Sequence, residues 1–415
     1  MNATLFKNVH VLDVRAGQLL EDHQVLVEGD AIRELSDRPI TATTARVIDG
    51  GGRTLMPGLI DCHVHVTFSQ TNLGLLAQTP QTTLALRALP ILRGMLRRGF
   101  TTVRDAGGAD WALKQAIDDG IDGTVTGPRL FVSGPALSPT GGHGDFRPRS
   151  DRLQPIGCGC QRLASTRVVD GVDAVRRAVR ELLQMGADQI KIMSSGGVAS
   201  PTDPVNALGY SLEETRAIVD EAAARHTYVL AHAYTPEAIR RAVECGVRSI
   251  EHGNLIDAPT AELMAERGAF AVPTLITYEA LARDGARLGL GAESVAKIEQ
   301  VRAAGLKSLE ILKTAGVRMA YGTDLLGASH GLQSEEFLIR AQVQSNLEVL
   351  QSATLIGAEL LNQVGVIGEI AAGARADLLL VDGNPLADLA CLTGQGERIP
   401  LVMQGGKLRV NELRA

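Results

Sequence analysis

Two histidines that are separated by one residue, His63 and His65, stand out as side chains that could do chemistry. Side chains alternate across a β-strand, so both imidazoles would point to the same face and could bind one metal ion together. The apolar stretch Leu55–Val66, opened by Pro57-Gly58, predicts that strand. Taken alone, the pair is equally compatible with two packed or exposed histidines. Further ligands elsewhere in the chain must decide between these interpretations.

A recurrent pattern indicates where further ligands should lie. Several segments repeat an amphipathic helix-like run, a glycine, and a short apolar strand that ends in a polar or ionisable residue. Glycine accommodates the left-handed conformation that ends a helix, and the repeated order predicts parallel strands. In a barrel of such strands, the chemistry lies at their carboxyl ends. The predicted strands include 101–105, 189–192, 249–252, 271–274 and 319–324. The ionisable residues at the strand ends are His63, His65, Lys191, His232, His252 and Asp324.

This ordered set resembles the amidohydrolase superfamily in its binuclear-metal form. The similarity covers nearly the whole chain: His-x-His on the first strand, Lys on the fourth, His on the fifth and sixth, and Asp on the eighth. It is strongest for the branch of metal-dependent prolidases and carboxypeptidases that was once grouped with imidazolonepropionases. Four further segments carry the resemblance to that branch, namely 140–145, 194–204, 231–235 and 321–324.

The resemblance implies an α/β fold with two parts. A (β/α)8 TIM barrel over residues 57–363 would form the catalytic domain, and both ends of the chain would build a small β-sandwich. Residues 1–56 and 364–415 read as short strands and turns, and neither piece is long enough to form a convincing sheet alone. The stretch from 135 to about 167 is rich in Gly, Pro, Ser and Arg with little periodicity. We expect it to be a substrate-covering loop.

The donor types predict a site for two divalent metal ions. Neutral imidazole and carboxylate oxygen suit Zn²⁺, although Mn²⁺ and Co²⁺ would accept the same ligands. Protonated Lys191 has no lone pair to donate. The resemblance implies that Lys191 is carboxylated by CO₂ and bridges both ions, and an ion pair with an acidic neighbour is the alternative. The other predicted ligands are His63, His65 and Asp324 for one ion, and His232 and His252 for the second.

Such a site would supply both an activated hydroxide and a Lewis acid. Asp324 is then placed to accept a proton and pass it to a departing amine. His143, in a glycine-rich turn, is expected to donate to the oxyanion, and Tyr234 to bind the substrate carbonyl or a terminal carboxylate. The alternatives are a histidine that structures the loop and a tyrosine that only packs. Asp105 either orients an active-site group or pairs with Arg104.

These features predict hydrolysis of dipeptides or N-acyl amino acids that have a free C-terminal carboxylate. The resemblance favours proline as the leaving residue, followed by hydrophobic or aromatic residues, including phenylalanine-amide mycotoxins. Asp145 and Asp151 lie among three arginines, Arg147, Arg149 and Arg152, which disfavours a cationic leaving residue. Two alternatives stay open: a mononuclear deaminase or cyclic-amide hydrolase of a heterocyclic substrate, and a non-catalytic scaffold on the same fold.

Composition and sequence pattern give no indication of several classes of partner. The 415 residues carry a net charge of -6, which does not suggest binding to nucleic acid or to an anionic membrane. No apolar run approaches the roughly 20 residues that span a bilayer, and the first residues lack a signal-peptide core, so we expect a cytoplasmic protein. The five cysteines include no Cys-x-x-Cys pair and are expected to be reduced. The resemblance implies a small-molecule or dipeptide substrate and a homo-oligomer.

Overall fold

The computed structural model describes residues 3–120, 123–147, 165–200, 203–285 and 292–413. Over these ranges the chain is a mixed α/β structure. The strands are β1 (Ala3–Asp13), β2 (Gln18–Glu28), β3 (Ala31–Ser36), β4 (Arg46–Pro57), β5 (Leu59–Val64), β6 (Phe100–Asp105), β7 (Arg129–Val132), β8 (Ala136–Ser138), β9 (Thr166–Val168), β10 (Ile190–Met193), β11 (Val229–Ala233), β12 (Ser249–His252), β13 (Phe270–Val272), β14 (Arg318–Met319), β15 (Leu378–Val381), β16 (Leu401–Gln404) and β17 (Lys407–Asn411).

Helices follow most of the central strands. Their starts carry recognisable signals, such as the capping box that Ser211 and Glu214 form at the start of the helix after β10. The helices are α1 (Leu73–Ala77), α2 (Gln81–Arg97), α3 (Trp111–Asp119), α4 (Val172–Gln184), α5 (Leu212–Ala223), α6 (Pro236–Glu244), α7 (Ala258–Glu266), α8 (Leu275–Asp284), α9 (Ala292–Thr314), α10 (Glu336–Arg340), α11 (Asn346–Ser352) and α12 (Leu355–Leu360). Among the described residues, no helix has both the length and the apolar character needed to cross a membrane.

The two ends of the chain meet in one seven-stranded sheet with the order β17-β16-β15-β4-β1-β2-β3. Strand β4 joins them, since it pairs in parallel with β1 and antiparallel with β15. Alternate residues of β15 bury opposite faces: Leu378 and Leu380 pack within the terminal sheet, and Leu379 and Val381 pack against the central core. Strand pairing within the described ranges does not show a second sheet facing this one, so the β-sandwich stays a prediction.

The central strands form two parallel sheets, one of three strands (β5-β6-β7) and one of seven (β14-β13-β12-β11-β10-β8-β9). Their register aligns the carboxyl ends, so that Met193 lies opposite His232. Beyond β14 the chain returns to β5, where the Asp324 amide donates to the His63 carbonyl at 2.8 Å. Strand pairing gives two sheets rather than one closed ring, and the eight-stranded barrel stays a prediction.

Some predicted strands are divided or shortened, including 271–274, where β13 ends at Val272. Leu55–Val66 is not one strand, because β4 ends at Pro57 in the terminal sheet and β5 starts at Leu59. The Gly58 amide donates to the Asp377 carbonyl, and a Cβ at Gly58 would lie only 2.1 Å from Thr101 Oγ1. The sequence did not reveal this change of pairing partner, because the whole apolar run is buried and its pattern does not change at Gly58. The strand predicted over 319–324 ends at Met319.

A buried aromatic cluster holds the central core together behind β6. The Phe337 ring lies 4.5 Å from the Tyr321 ring and 6.3 Å from the Phe100 ring, measured between centroids. All three side chains are inaccessible to solvent. They belong to a core cluster that also includes Met56 and Leu379 of the terminal sheet. This cluster therefore couples the two parts of the fold.

Phe337→Ala should lower the free energy of unfolding by about 3–5 kcal/mol, because it removes a fully buried ring of this cluster and leaves a cavity. Chemical denaturation monitored by circular dichroism would measure the change. Leu338→Ala is the matched control, since Leu338 is 40% exposed. It should change stability by no more than about 0.5 kcal/mol. Equal losses in both variants would contradict the assignment of Phe337 to the core.

Candidate active site

Three of the predicted metal ligands form a tight cluster at the end of β5. The side chains of His63, His65 and Asp324 place candidate ligand atoms within 4.8 Å of one another. Asp324 Oδ1 lies 3.5 Å from His63 Nε2 and 3.2 Å from His65 Nε2. Burial opposes ionisation of Asp324, but its surroundings, including the hydrogen bond from His65, outweigh that effect and lower the carboxyl pKa. The cluster can therefore present an anionic oxygen and two imidazole nitrogens to one cation.

Two more imidazoles extend this cluster along β11 and β12. The His252 ring lies 5.0 Å from the His63 ring and 4.7 Å from the His232 ring, measured between centroids. Burial lowers the pKa values of His63, His232 and His252 well below 6.5. These three rings are therefore neutral and keep a lone pair for a ligand.

Lys191 lies on β10 and is almost completely buried. Burial lowers the pKa of its amine to about 8. Within the described part of the chain, Nζ makes no hydrogen bond and has no carboxylate within 4.0 Å. The predicted alternative, an ion pair with an acidic neighbour, is therefore not observed among these residues. A buried amine without a partner is what a modified lysine or a metal ligand would require.

Each of these four imidazoles makes a hydrogen bond through one ring nitrogen. Such bonds fix the ring orientation and the tautomer of metal-binding histidines. His63, His65 and His252 make this bond through Nδ1, and His232 makes it through Nε2, while the Nε2 atoms of His63 and His65 lie nearest the Asp324 carboxylate. Together with the carboxylate, this donor set suits borderline divalent metals such as zinc. The engaged pairs are His63 Nδ1 with Glu251 Oε2 (2.7 Å), His65 Nδ1 with the Gly107 carbonyl (2.8 Å), His252 Nδ1 with Thr274 Oγ1 (2.7 Å) and His232 Nε2 with the Gly196 carbonyl (3.1 Å).

Glu251, which the sequence did not single out, is held by a buried arginine. Arg104 Nη2 donates to both carboxylate oxygens of Glu251 at 2.9 Å, and Arg104 Nε donates to the Cys62 carbonyl at 2.6 Å. The predicted alternative of an Arg104–Asp105 ion pair is wrong. The position of Glu251, directly before a predicted ligand in a buried strand, was a signal that could have identified it.

Asp105 acts on the site through the backbone. Its carboxylate accepts from the amides of Val66, Gly107 and Ala109 at 2.8 to 3.0 Å. The Gly107 carbonyl then accepts from His65. Asp105 therefore orders the turn that orients a candidate ligand, which agrees with the first of its two predicted roles.

His143 lies beside the imidazole cluster. Its ring stacks on the His232 ring with 4.4 Å between centroids and a 20° angle between planes. Nδ1 lies 3.1 Å from Ser200 Oγ. Burial lowers the His143 pKa to about 4. This position lies within reach of a substrate bound at the cluster.

Tyr234 also borders the cluster but is more enclosed than predicted. Its ring meets the His232 ring edge-on at 4.8 Å, and its hydroxyl lies 3.0 Å from the hydroxyl of Tyr278. Only 2% of Tyr234 is exposed. Tyr278, on α8, was missed because its helix gives no sequence signal of proximity. The two phenols share one hydrogen bond and can offer one donor to a ligand.

The predicted substrate-covering loop, 135–167, is described only at its two ends. Residues 136–138 and 166–168 pair as the parallel strands β8 and β9, so these ends are not structureless. Asp145 is paired with Arg147 at 2.6 Å and offers little charge to a cationic substrate. Residues 148–164 lie outside the described ranges, and with them Arg149, Asp151, Arg152, Cys158 and Cys160. The three described cysteines, Cys62, Cys245 and Cys391, are free.

Comparisons with known proteins agree with this geometry. The model of the amidohydrolase family matches residues 54–408, and members of this family generally bind divalent metals. Ochratoxinase of Aspergillus niger is 34% identical over 85% of this chain and 75% of its own length. A crystal structure of an amidohydrolase has a TM-score of 0.97 and 60% identity, with 100% of both chains covered. A prolidase in complex with N-methylphosphonate-L-proline has a TM-score of 0.95 and 57% identity, covering 98% of this chain and 99% of the other. This chain belongs to the amidohydrolase family.

Proposed function

We propose that this amidohydrolase is a prolidase-like enzyme that uses two metal ions. Its substrates would be dipeptides or N-acyl amino acids with a free C-terminal carboxylate and preferably proline as the leaving residue. The observation that carries the proposal is the convergence of four oriented imidazoles, one carboxylate and one unpaired buried lysine. A non-catalytic scaffold would be expected to have lost some of these groups. Hydrolysis of amide bonds is also the activity that its relatives support.

The proposed metal site uses every one of these groups. Carboxylation of Lys191, through its deprotonated amine, would give an anionic group with two oxygens that could serve as metal ligands. When bound, the two ions, in our proposal Zn²⁺, would activate a water molecule and polarise the acyl carbonyl of the substrate. The proposed ligands are His63, His65, His232, His252, Asp324 and carboxylated Lys191.

Three side chains around the scissile bond would transfer the proton, stabilise the oxyanion and bind the substrate. Asp324 would accept a proton from the attacking water and deliver it to the amine, which cannot depart as an anion. His143 would donate a hydrogen bond from Nε2 to the carbonyl oxygen as negative charge develops there. Tyr234 would bind the substrate carbonyl or the terminal carboxylate, with its hydroxyl oriented by Tyr278.

The preference for proline rests on the relative that binds N-methylphosphonate-L-proline. That compound has a tetrahedral phosphorus attached to the proline nitrogen, at the place of the acyl carbon of a prolyl amide. The Asp145–Arg147 pair leaves no free carboxylate in the described part of the loop to attract a cationic leaving residue. The relationship to an ochratoxinase is the reason to include phenylalanine-amide mycotoxins as secondary substrates.

The proposal extends to the architecture. We infer a closed (β/α)8 barrel over residues 57–363 and a composite β-sandwich from residues 1–56 and 364–415. Backbone bonds between β5 and the segment that follows β14 support closure, among them Cys62 N to the Tyr321 carbonyl at 2.7 Å. A cytoplasmic homo-oligomer without nucleic-acid or membrane partners completes the proposal.

Lys191→Ala should reduce the metal content below the roughly two ions per chain that a two-metal site holds. The rate of hydrolysis should fall together with the metal content, because the proposed anionic ligand is lost. Metal analysis and turnover of a prolyl dipeptide would measure both effects, and short carboxylic acids should restore part of the activity. Lys307→Ala, on the exposed side of α9, is the control. Full activity of untreated Lys191→Ala would refute the bridging role.

Asp324→Asn should reduce turnover by roughly 10²- to 10⁴-fold, the usual contribution of positioned acid-base catalysis. The fold and most of the bound metal should be retained, because the amide keeps the shape of the side chain. Turnover at saturating substrate, beside metal analysis, would test this. Asp118→Asn on the exposed side of α3 should have no effect. Near-normal turnover of Asp324→Asn with metal bound would show that another base acts.

A panel of Xaa-Pro, Xaa-Phe, Xaa-Leu and Xaa-Arg dipeptides and matching N-acyl amino acids should show the highest kcat/KM for proline. Aromatic and aliphatic leaving residues should give the next highest kcat/KM, because the charged residues in the described part of the predicted substrate-covering loop are held in ion pairs. Strong preference for Arg would overturn the pocket argument. Rapid deamination of a heterocycle, with one metal ion per chain and no amide hydrolysis, would replace the whole proposal by the mononuclear alternative.

A further inference from the structure

We propose that Ser200 is a positioning residue that fixes the tautomer of His143, and that Gly197 supplies the space in which the His143 ring lies. The inference rests on the proposed function in one respect, namely that His143 donates from Nε2 to the substrate. The sequence assigned no individual role to Ser200 or Gly197. Together they form a seat for the imidazole, which is called the His143 seat below.

The His143 seat leaves room for the ring only because position 197 has no side chain. A Cβ at Gly197 would lie 2.0 Å from His143 Cε1 and 2.2 Å from Nδ1. The backbone at Gly197 does not require positive φ, since it is not among the residues in that region. Glycine is therefore needed here for space rather than for conformation. With the His232 ring stacked on it, the His143 ring is confined by two elements.

The direction of the hydrogen bond at Nδ1 follows from the surroundings of Ser200. Ser200 is fully buried, and its Oγ has one partner among the described residues, His143 Nδ1 at 3.1 Å. Buried hydroxyl hydrogens almost always find an acceptor. If Nδ1–H donated to Oγ, the hydroxyl hydrogen would have no described acceptor. Ser200 therefore donates and Nδ1 accepts. A neutral imidazole then carries its single proton on Nε2.

Asp203 is the competing partner for Nδ1, and its geometry is poorer. Its Oδ2 lies 3.7 Å from Nδ1, beyond hydrogen-bond distance, and accepts from the Gly197 amide at 2.9 Å. A carboxylate in contact with Nδ1 would favour the opposite tautomer, with Nε2 unable to donate. The hydroxyl of Ser200 excludes that arrangement by occupying Nδ1.

Lys297 anchors the His143 seat to α9. Its Nζ donates to the Ser200 carbonyl at 3.1 Å and to the Asp203 carbonyl at 2.8 Å. Lys297 is itself largely buried. A charged donor that spans two carbonyls of one loop holds Ser200 at a fixed distance from the ring. The Ser200 hydroxyl is therefore held within hydrogen-bond distance of His143 Nδ1.

The tautomer can be measured without substrate by ¹⁵N NMR of histidine-labelled, metal-loaded enzyme, with the His143 signals identified by their loss in His143→Gln. The wild type should show a neutral ring with the proton on Nε2. In Ser200→Ala the proton should shift toward Nδ1, where Asp203 becomes the nearest acceptor. A wild-type ring protonated on Nδ1 would overturn the proposal. Since this readout is independent of catalysis, it distinguishes failure of the inference from failure of the proposed function.

Kinetics supply the second test. Ser200→Ala and Gly197→Ala should each lower kcat for a prolyl dipeptide roughly 10- to 100-fold, somewhat less than loss of a whole oxyanion donor. In a His143→Ala background, neither substitution should lower kcat further, because the effects of residues that act through the same group are not additive. Gly331→Ala is the matched control, since its Cβ would meet its nearest neighbour at an ordinary 3.6 Å. Unchanged kcat in Ser200→Ala, or losses that multiply with His143→Ala, would refute the role.

Discussion

The buried pair of Arg104 and Glu251 is the interaction on which the candidate site depends most. Both side chains are fully inaccessible, and removing two charges from water costs several kcal/mol per ion. That cost is offset only if the remaining hydrogen-bonding groups are satisfied. The Glu251 carboxylate accepts a hydrogen bond from Arg104 and is also hydrogen-bonded to His63 Nδ1. Arg104 in turn donates to the Cys62 carbonyl. The pair therefore ties β6, β12 and β5 together at the place where the imidazoles converge.

This tie explains why the site can tolerate unfavourable backbone conformations. Asp324 and His252 both have positive φ, at 52° and 75°, where non-glycine residues are strained by about 1–3 kcal/mol each. His252 is the last residue of β12, whereas Asp324 lies in the segment after β14 and its amide donates to the His63 carbonyl. The surrounding hydrogen bonds, such as that between His252 and Thr274, hold these conformations in place. The strain at these positions is therefore offset by the contacts that bring the two side chains to the same site.

The sequence predicted the ionisable residues that the fold brings together and one residue, Asp105, that acts through another, but it missed several buried residues that contact the site. His63, Lys191 and Asp324 could be found because a strand end with an ionisable residue is unusual within an apolar pattern. Tyr278 and Ser200 carry no such signal, since their importance depends on contacts made after the chain has folded. The division of Leu55–Val66 into two strands was not predicted for a similar reason. A strand that is buried on both faces has no alternation of apolar and polar residues to mark where its pairing partner changes. The closed barrel and the sandwich are inferences about how sheets curve, which local pattern does not determine.

In the proposed function, the groups that bind metal and the groups that meet the substrate come from different parts of this fold. The candidate metal ligands lie on parallel strands or in the segments that follow them, and the buried pair of Arg104 and Glu251 orients one of them, His63. The groups that would meet the substrate come from loops: His143 from the segment after β8, and its seat from the segment after β10. These two loops line a cavity of about 120 Å³, with residues such as Thr140, Gly196 and Asp203. The loop after β10 also contacts the candidate metal site, because the Gly196 carbonyl accepts from His232 Nε2 and the His232 ring stacks on His143. The packing between the two loops therefore sets where His143 lies relative to a candidate metal ligand, and with it where the carbonyl of the proposed substrate would have to bind.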